Sequence, residues 1–231
     1  MKKIIFSLLL LVNGAMVFAA KPEYVQMMSG VLQKMKDAKS IEALEACANN
    51  FSRVAAVEKE EWLPNYYTAM CYILETSMLK DGKEIDAKLD KADALITQAR
   101  DISNSDELLC LESWSKSTRI GVDPMTRGMK YGMESAQLLN RATIVNQNNP
   151  RIYYLQAMSA YFTPEKYGGG KVKALELLKK AQGLFETFKP SSEIMPNWGK
   201  EQNQAMIETV TKEMNGSTDD TATPNNRAPR K

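Results

Sequence analysis

The hydrophobic pattern is clearest in residues 149–188, where it predicts two helices joined by a tight turn. Asn149 and Pro150 form a typical helix start, because Asn caps the first turn and Pro at the first helical position loses no hydrogen bond. Apolar residues then recur at three- and four-residue spacing, which places them on one helical face. They are Tyr153, Tyr154, Ala157, Met158, Tyr161 and Phe162. Three glycines, 168–170, predict the turn before a second apolar helix.

Weaker copies of this helical pair lie upstream at a spacing of 44 residues, so that Tyr154 corresponds to Cys110 and Tyr66. The second helices repeat a pair of small residues. The pairs are Ala92 and Ala99, Ser135 and Ala142, and Ala174 and Ala181. A fixed period with one helical hairpin in each period is typical of an α-solenoid, in which each hairpin buries its apolar face against its neighbours. The sequence therefore predicts an all-α fold of about four stacked hairpins and a C-terminal capping helix.

The repeated unit resembles a tetratricopeptide (TPR) repeat, and the chain resembles TPR-like proteins of the bacterial envelope. Four stretches carry the resemblance, which extends over residues 60–202. They are VDPMTRGMKYG, NNPRIYYLQA, TPEKYGGGKVKAL and PNWGKEQ. The resemblance implies a right-handed solenoid whose first helices line a concave surface, and it implies a protein that binds a partner in the envelope.

The first residues are typical of a secretory signal. Lys2 and Lys3 precede an apolar run, and a small-x-small pattern ends at Ala19. A membrane anchor is the alternative, but the apolar run is shorter than the ~20 residues that span a bilayer. We therefore expect a periplasmic protein without stable membrane insertion, with secretion from the cell as the alternative location.

The remaining boundaries follow from the helical periods and the Pro- and Ser-containing connector. The expected segments are a signal peptide (1–19), an N-terminal capping hairpin (20–60), three TPR-like hairpins (61–189), a connector with a capping helix (190–214) and a disordered tail (215–231).

The charge balance narrows the choice of partner. The chain has 30 basic and 28 acidic residues, and the predicted signal contains two of the basic ones, Lys2 and Lys3. A mature chain with balanced charge does not favour nucleic acid or anionic lipid as the main partner. A protein or peptide partner is the better expectation.

Residues able to carry chemistry are scarce. The sequence contains no histidine, which excludes catalytic triads and every metal site that needs imidazole. The spacing of Cys47, Cys71 and Cys110 matches no zinc motif, and buried free thiols are a better interpretation than a Cys71–Cys110 disulfide. We expect no catalytic residues, no metal and no cofactor, and hence a non-enzymatic protein.

A row of aromatic and methionine side chains is the candidate binding surface. In a TPR-like arrangement these residues would line the concave face, and such residues are enriched at binding hot spots. They are Tyr66, Met70, Trp114, Tyr154, Met158 and Tyr161. The alternative is that they form the core between repeats.

The glycine-rich turn is a second candidate. Backbone N–H groups of Gly168, Gly169 and Gly170, together with Lys171, could contact an anion at the start of the following helix. A tight turn without a ligand is the simpler interpretation.

The main functional hypothesis is an exported scaffold that binds a peptide segment or protein on its concave face. Two alternatives remain open. One is a carrier of a small envelope ligand, and the other is an envelope hydrolase that uses carboxylates alone.

Overall fold

The computed structural model describes residues 21–219 and their side chains as far as residue 215. The predicted signal peptide (1–19) and residues 220–231 of the predicted tail lie outside this part. Nine α-helices and two short 3-10 turns make up the described secondary structure, and these residues contain no strand. The helices are α1 (Pro22–Asp37), α2 (Ile41–Val57), α3 (Leu63–Glu75), α4 (Gly82–Ile102), α5 (Asp106–Ile120), α6 (Pro124–Val145), α7 (Pro150–Phe162), α8 (Lys171–Thr187) and α9 (Lys200–Asp219). The predicted all-α class is confirmed.

Side-chain caps explain where many of the helices begin. A cap accepts hydrogen bonds from the first backbone N–H groups of a helix, which have no partner inside it. The capping residues are Ser40 for α2, Asp81 for α4, Ser105 for α5, Asp123 for α6 and Asn149 for α7. The helix start predicted at Asn149 and Pro150 is among them.

The apolar spacing predicts the second hairpin as helices over residues 62–79 and 84–102, and some helix ends differ from the prediction. Helix α3 ends at Glu75 because its last turn tightens into a 3-10 turn, Thr76–Met78, instead of continuing to Leu79. Helix α4 begins at Gly82 rather than Glu84, since Asp81 caps it. Helix α9 continues to Asp219, past the predicted end at Met214.

Neighbouring helices pack in pairs along the chain. Helix α3 packs against α2 and α4, α5 packs against α6, and α7 packs against α8, which in turn contacts α9. Small residues allow the close approach: the hydroxyl oxygens of Ser113 on α5 and Ser135 on α6 lie 2.8 Å apart. Helical hairpins that pack against their neighbours are therefore present, whereas a right-handed TPR-like solenoid of about four stacked hairpins stays a prediction.

The connector between α8 and α9, residues 188–199, folds back across helices that are distant in sequence. The Tyr67 hydroxyl donates to the Ile194 carbonyl at 2.8 Å, and Ile194 is buried in the same core as α1 to α5. The Trp198 indole N–H donates to the Tyr66 hydroxyl at 2.7 Å. This segment packs on α3 and thereby joins the C-terminal part of the chain to the core of α1 to α5.

Candidate functional site

Half of the predicted concave row contacts Trp198 of the connector. Tyr66 and Met70 are buried in the core, while the other four predicted residues are partly buried. Those four are Trp114, Tyr154, Met158 and Tyr161. The Trp198 ring centroid lies 5.1 Å from that of Trp114 and 6.4 Å from that of Tyr154. The chain's own tryptophan thus occupies this surface, and a role for the row in binding a partner stays a prediction.

A buried ion pair fixes the same region. Arg151 Nε donates to Glu107 Oε2 at 2.8 Å, and Asn149 Nδ2 donates to Glu107 Oε1, also at 2.8 Å. The Arg151 guanidinium also lies over the Phe188 and Trp198 rings, at 4.5 and 5.7 Å from their centroids. Burial raises the pKa of Glu107, and the Arg151 charge limits that rise. Because every partner of the pair is internal, its role is to hold α5, α7 and the connector together.

The glycine-rich turn is tight, as expected, with φ of 84° at Gly168 and 101° at Gly170. Lys171 forms an ion pair with Glu213 of α9 at 3.1 Å, and the Tyr161 hydroxyl donates to the same carboxylate at 2.9 Å. The charge of Lys171 is therefore offset within the protein. An anion contact at this turn stays a prediction that rests on the backbone N–H groups.

An exposed row of methionines on α6 was missed by the sequence reasoning. Met125, Met129 and Met133 are 94%, 80% and 57% exposed. Residues four apart lie on the same side of a helix, so the three thioethers form one continuous row. A helix whose opposite side already packs in the core does not need a second apolar row to fold. The Met-x-x-x-Met-x-x-x-Met spacing was the signal that could have revealed it.

Two glycines adjoin the row. Gly128 and Gly132 lie inside α6, and a Cβ atom built on either would meet nothing within 4 Å. An interior helical glycine costs about 0.5–1 kcal/mol relative to Ala, and packing does not require these two. At these two positions the helix backbone beside the thioethers carries no side chain. We call Met125, Gly128, Met129, Gly132 and Met133 the α6 methionine face.

The opposite side of α6 is anchored, which turns the methionine face outward. The two terminal nitrogens of the Arg127 guanidinium donate to the Asp86 carboxylate of α4, at 2.7 and 2.8 Å. These bonds from Arg127 lower the pKa of Asp86. Asp123 caps the first turn of α6, where its carboxylate accepts from the Thr126 backbone and hydroxyl. The surface is therefore held on a rigid helix rather than on a loop.

A groove of about 470 Å³ lies between α8 and α9. Phe185 contributes to its lining, and the carboxylates of Glu186, Glu201 and Glu208 outnumber the one ammonium group of Lys200. A groove with this charge does not suit an anionic ligand. The α6 methionine face carries no carboxylate and lies next to the exposed Lys130.

The described residues offer no arrangement of three or more His, Cys, Asp or Glu side chains that could hold a metal ion. Cys47, Cys71 and Cys110 are all buried and unbridged. Burial raises the pKa of Cys110, which keeps this thiol protonated and unreactive. Within residues 21–219, no helix has the length and apolar character needed to cross a membrane.

These features define an all-α protein of packed helical hairpins that carries an exposed apolar face. Among solved structures, the chain is similar to the HusA haemophore from Porphyromonas gingivalis, with 30% sequence identity and a TM-score of 0.76. The similarity covers 92% of this chain and 100% of that chain. The protein belongs to the same family as this haemophore. No family model matches the chain, and none of the curated proteins is significantly similar to it.

Proposed function

We propose that the protein is an exported, non-enzymatic carrier of haem or a closely related porphyrin. The observation that carries the proposal is the similarity to a haemophore over the full length of that protein. This similarity favours the small-ligand carrier over the peptide scaffold, the main hypothesis from the sequence. The connector supports the same choice, because Trp198 already covers the surface on which a peptide was expected.

The α6 methionine face is the proposed site. A porphyrin is a flat, largely apolar ring, and thioether side chains adapt their shape to apolar surfaces. The bare backbone at Gly128 and Gly132 allows a planar ligand to approach the helix closely. The Lys130 side chain, exposed beside Met129, would pair with a carboxylate at the edge of the ring.

The residues present restrict how haem iron could be held. The chain has no histidine, and its cysteines are buried. Affinity would therefore come mainly from apolar contact and shape, with thioethers as the nearest soft atoms. The hydrolase alternative has no support from the site, because the buried Glu107 is held by Arg151 and Asn149.

The test is a titration of the mature chain with haem and with iron-free protoporphyrin, followed by absorbance and by quenching of tryptophan fluorescence. We expect Met129→Glu to weaken binding at least about tenfold, which corresponds to ~1.4 kcal/mol. The same substitution at Met78, a partly exposed methionine outside α6, is the matched control. Equal affinities for the two variants would place the site elsewhere, and absence of binding by the unaltered chain would refute the carrier function.

The glycines provide a second variant with opposite effects on stability and binding. Gly128→Ala together with Gly132→Ala should stabilise α6 by about 0.5–1 kcal/mol for each substitution, because Ala loses less backbone entropy than Gly in a helix and the new methyl groups clash with no protein atom. The same methyl groups would occupy the space proposed for the ring, so affinity should fall. Thermal unfolding and ligand titration measure the two effects. A variant that gains stability and keeps its affinity would remove the glycines from the site.

A further inference from the structure

The methionines of the described residues differ widely in exposure, and therefore in their access to oxidants. Met125, Met129 and Met133 are at least half exposed, whereas Met28 and Met70 are 0% and 6% exposed. Oxidation of Met needs contact between its sulfur and the oxidant, so an exposed thioether reacts before a buried one. Among the described methionines, the three most exposed are those of the proposed binding face.

We propose that Met125, Met129 and Met133 are sites of reversible sulfoxidation, and that this modification lowers the affinity of the α6 methionine face for its apolar ligand. The inference rests on the proposed carrier function and adds a modification site to it. It extends that function with a means of releasing the ligand under oxidising conditions.

The oxidant is a peroxide, with hydrogen peroxide as the simplest case. A lone pair of the thioether sulfur attacks one peroxide oxygen, the O–O bond breaks, and the other oxygen leaves as water after proton transfer. The sulfur is oxidised by two electrons and the peroxide is reduced by two. Methionine sulfoxide reductases reverse the change.

The modification changes the chemistry of the face while α6 itself remains anchored. A sulfoxide is polar and accepts hydrogen bonds from water, so burying it under an apolar ring costs free energy. The anchoring contacts of α6, such as Arg127 with Asp86, lie on the other side of the helix and contain no sulfur. Ligand affinity should therefore fall while the fold is retained.

The thiols do not compete for the oxidant. Cys47, Cys71 and Cys110 are buried, and peroxide reacts with a thiolate rather than with a thiol. The chain thus directs two-electron oxidation to its exposed thioethers.

The experiment treats the intact mature protein with hydrogen peroxide and follows each sulfoxide by peptide mass spectrometry. Met125, Met129 and Met133 should be oxidised about tenfold or more faster than Met28 and Met70. Equal rates in the two groups would overturn the inference. Haem and iron-free protoporphyrin are then titrated before oxidation, after oxidation and after treatment with the reductases.

Affinity should fall about tenfold on oxidation and return after reduction. The variant Met125→Leu, Met129→Leu, Met133→Leu should show the same affinity before and after peroxide, whatever its starting value. The control variant Met27→Leu, Met78→Leu lacks two exposed methionines outside α6 and should stay sensitive to peroxide. If the fully oxidised protein binds haem as tightly as before, the inference is wrong and the carrier function stands. If the untreated protein binds no porphyrin, the carrier function itself is wrong, and the oxidation rates still test the modification.

Discussion

The side of the protein under the connector and the α6 methionine face contain similar side chains in opposite environments. Under the connector, Tyr66 and Trp114 contact Trp198 of the same chain. On α6, Met125 and Met129 contact mostly solvent. An apolar row therefore indicates a binding site only when the chain itself does not cover it. The two regions should therefore differ in how substitutions affect stability and ligand binding.

The largest effect on stability is expected at the buried ion pair. Arg151→Ala leaves the carboxylate of Glu107 buried without its main partner, which costs about 3–5 kcal/mol. Urea denaturation at neutral pH measures the loss. Arg141→Ala, on the exposed side of α6, is the matched control and should stay within about 0.5 kcal/mol. A loss below about 1 kcal/mol at Arg151 would show that the connector region is not held by this pair.

A smaller loss is expected for Trp198→Ala, because the indole packs on two aromatic rings and donates to the Tyr66 hydroxyl. Truncating a packed tryptophan costs about 3 kcal/mol, and thermal and urea unfolding would measure this loss. Tyr167→Ala removes a ring that is mostly exposed and serves as the control. The Trp198→Ala variant also tests whether the ligand binds on α6 or under the connector. Tighter haem binding by Trp198→Ala would place the ligand under the connector instead of on α6.

The smallest effect concerns acid stability at the α4–α6 contact. Hydrogen bonds from Arg127 lower the pKa of Asp86 below its ordinary value of 3.8, so the carboxylate is more easily ionised in the folded than in the unfolded chain. Its contribution is present above the unfolded pKa and is lost as the pH falls through the folded pKa. Asp86→Asn should cost about 0.5–1 kcal/mol at pH 7 and less near pH 2–3.

Melting temperatures of Asp86→Asn and of the unaltered protein, taken between pH 7 and about pH 2–3, provide the measurement. The control is Asp101→Asn, which replaces an exposed aspartate at the end of α4. The gap between Asp86→Asn and the unaltered protein should narrow as the pH falls, because protonation removes the same charge from the unaltered protein. A gap that stays constant with pH would mean that the ion pair contributes nothing to acid stability.

Local pattern determined the class of fold and most of the helices. A capping residue such as Asn149 acts on backbone groups within three residues, and apolar spacing identifies the buried side of a helix without knowledge of its neighbours. The tight turn at Gly168 is equally local, because a positive φ favours glycine wherever it occurs. These features depend on short-range physics and could be predicted from the sequence alone.

Which apolar row is exposed to solvent depends on the packing of segments that are distant in the sequence. Tyr66 and Trp198 are 132 residues apart, and no local pattern indicates that their side chains share a hydrogen bond. The outward direction of the α6 methionines likewise depends on Arg127 reaching Asp86 across 41 positions. Helical spacing shows that a face is apolar, but its burial depends on distant segments whose packing energy the local sequence does not contain.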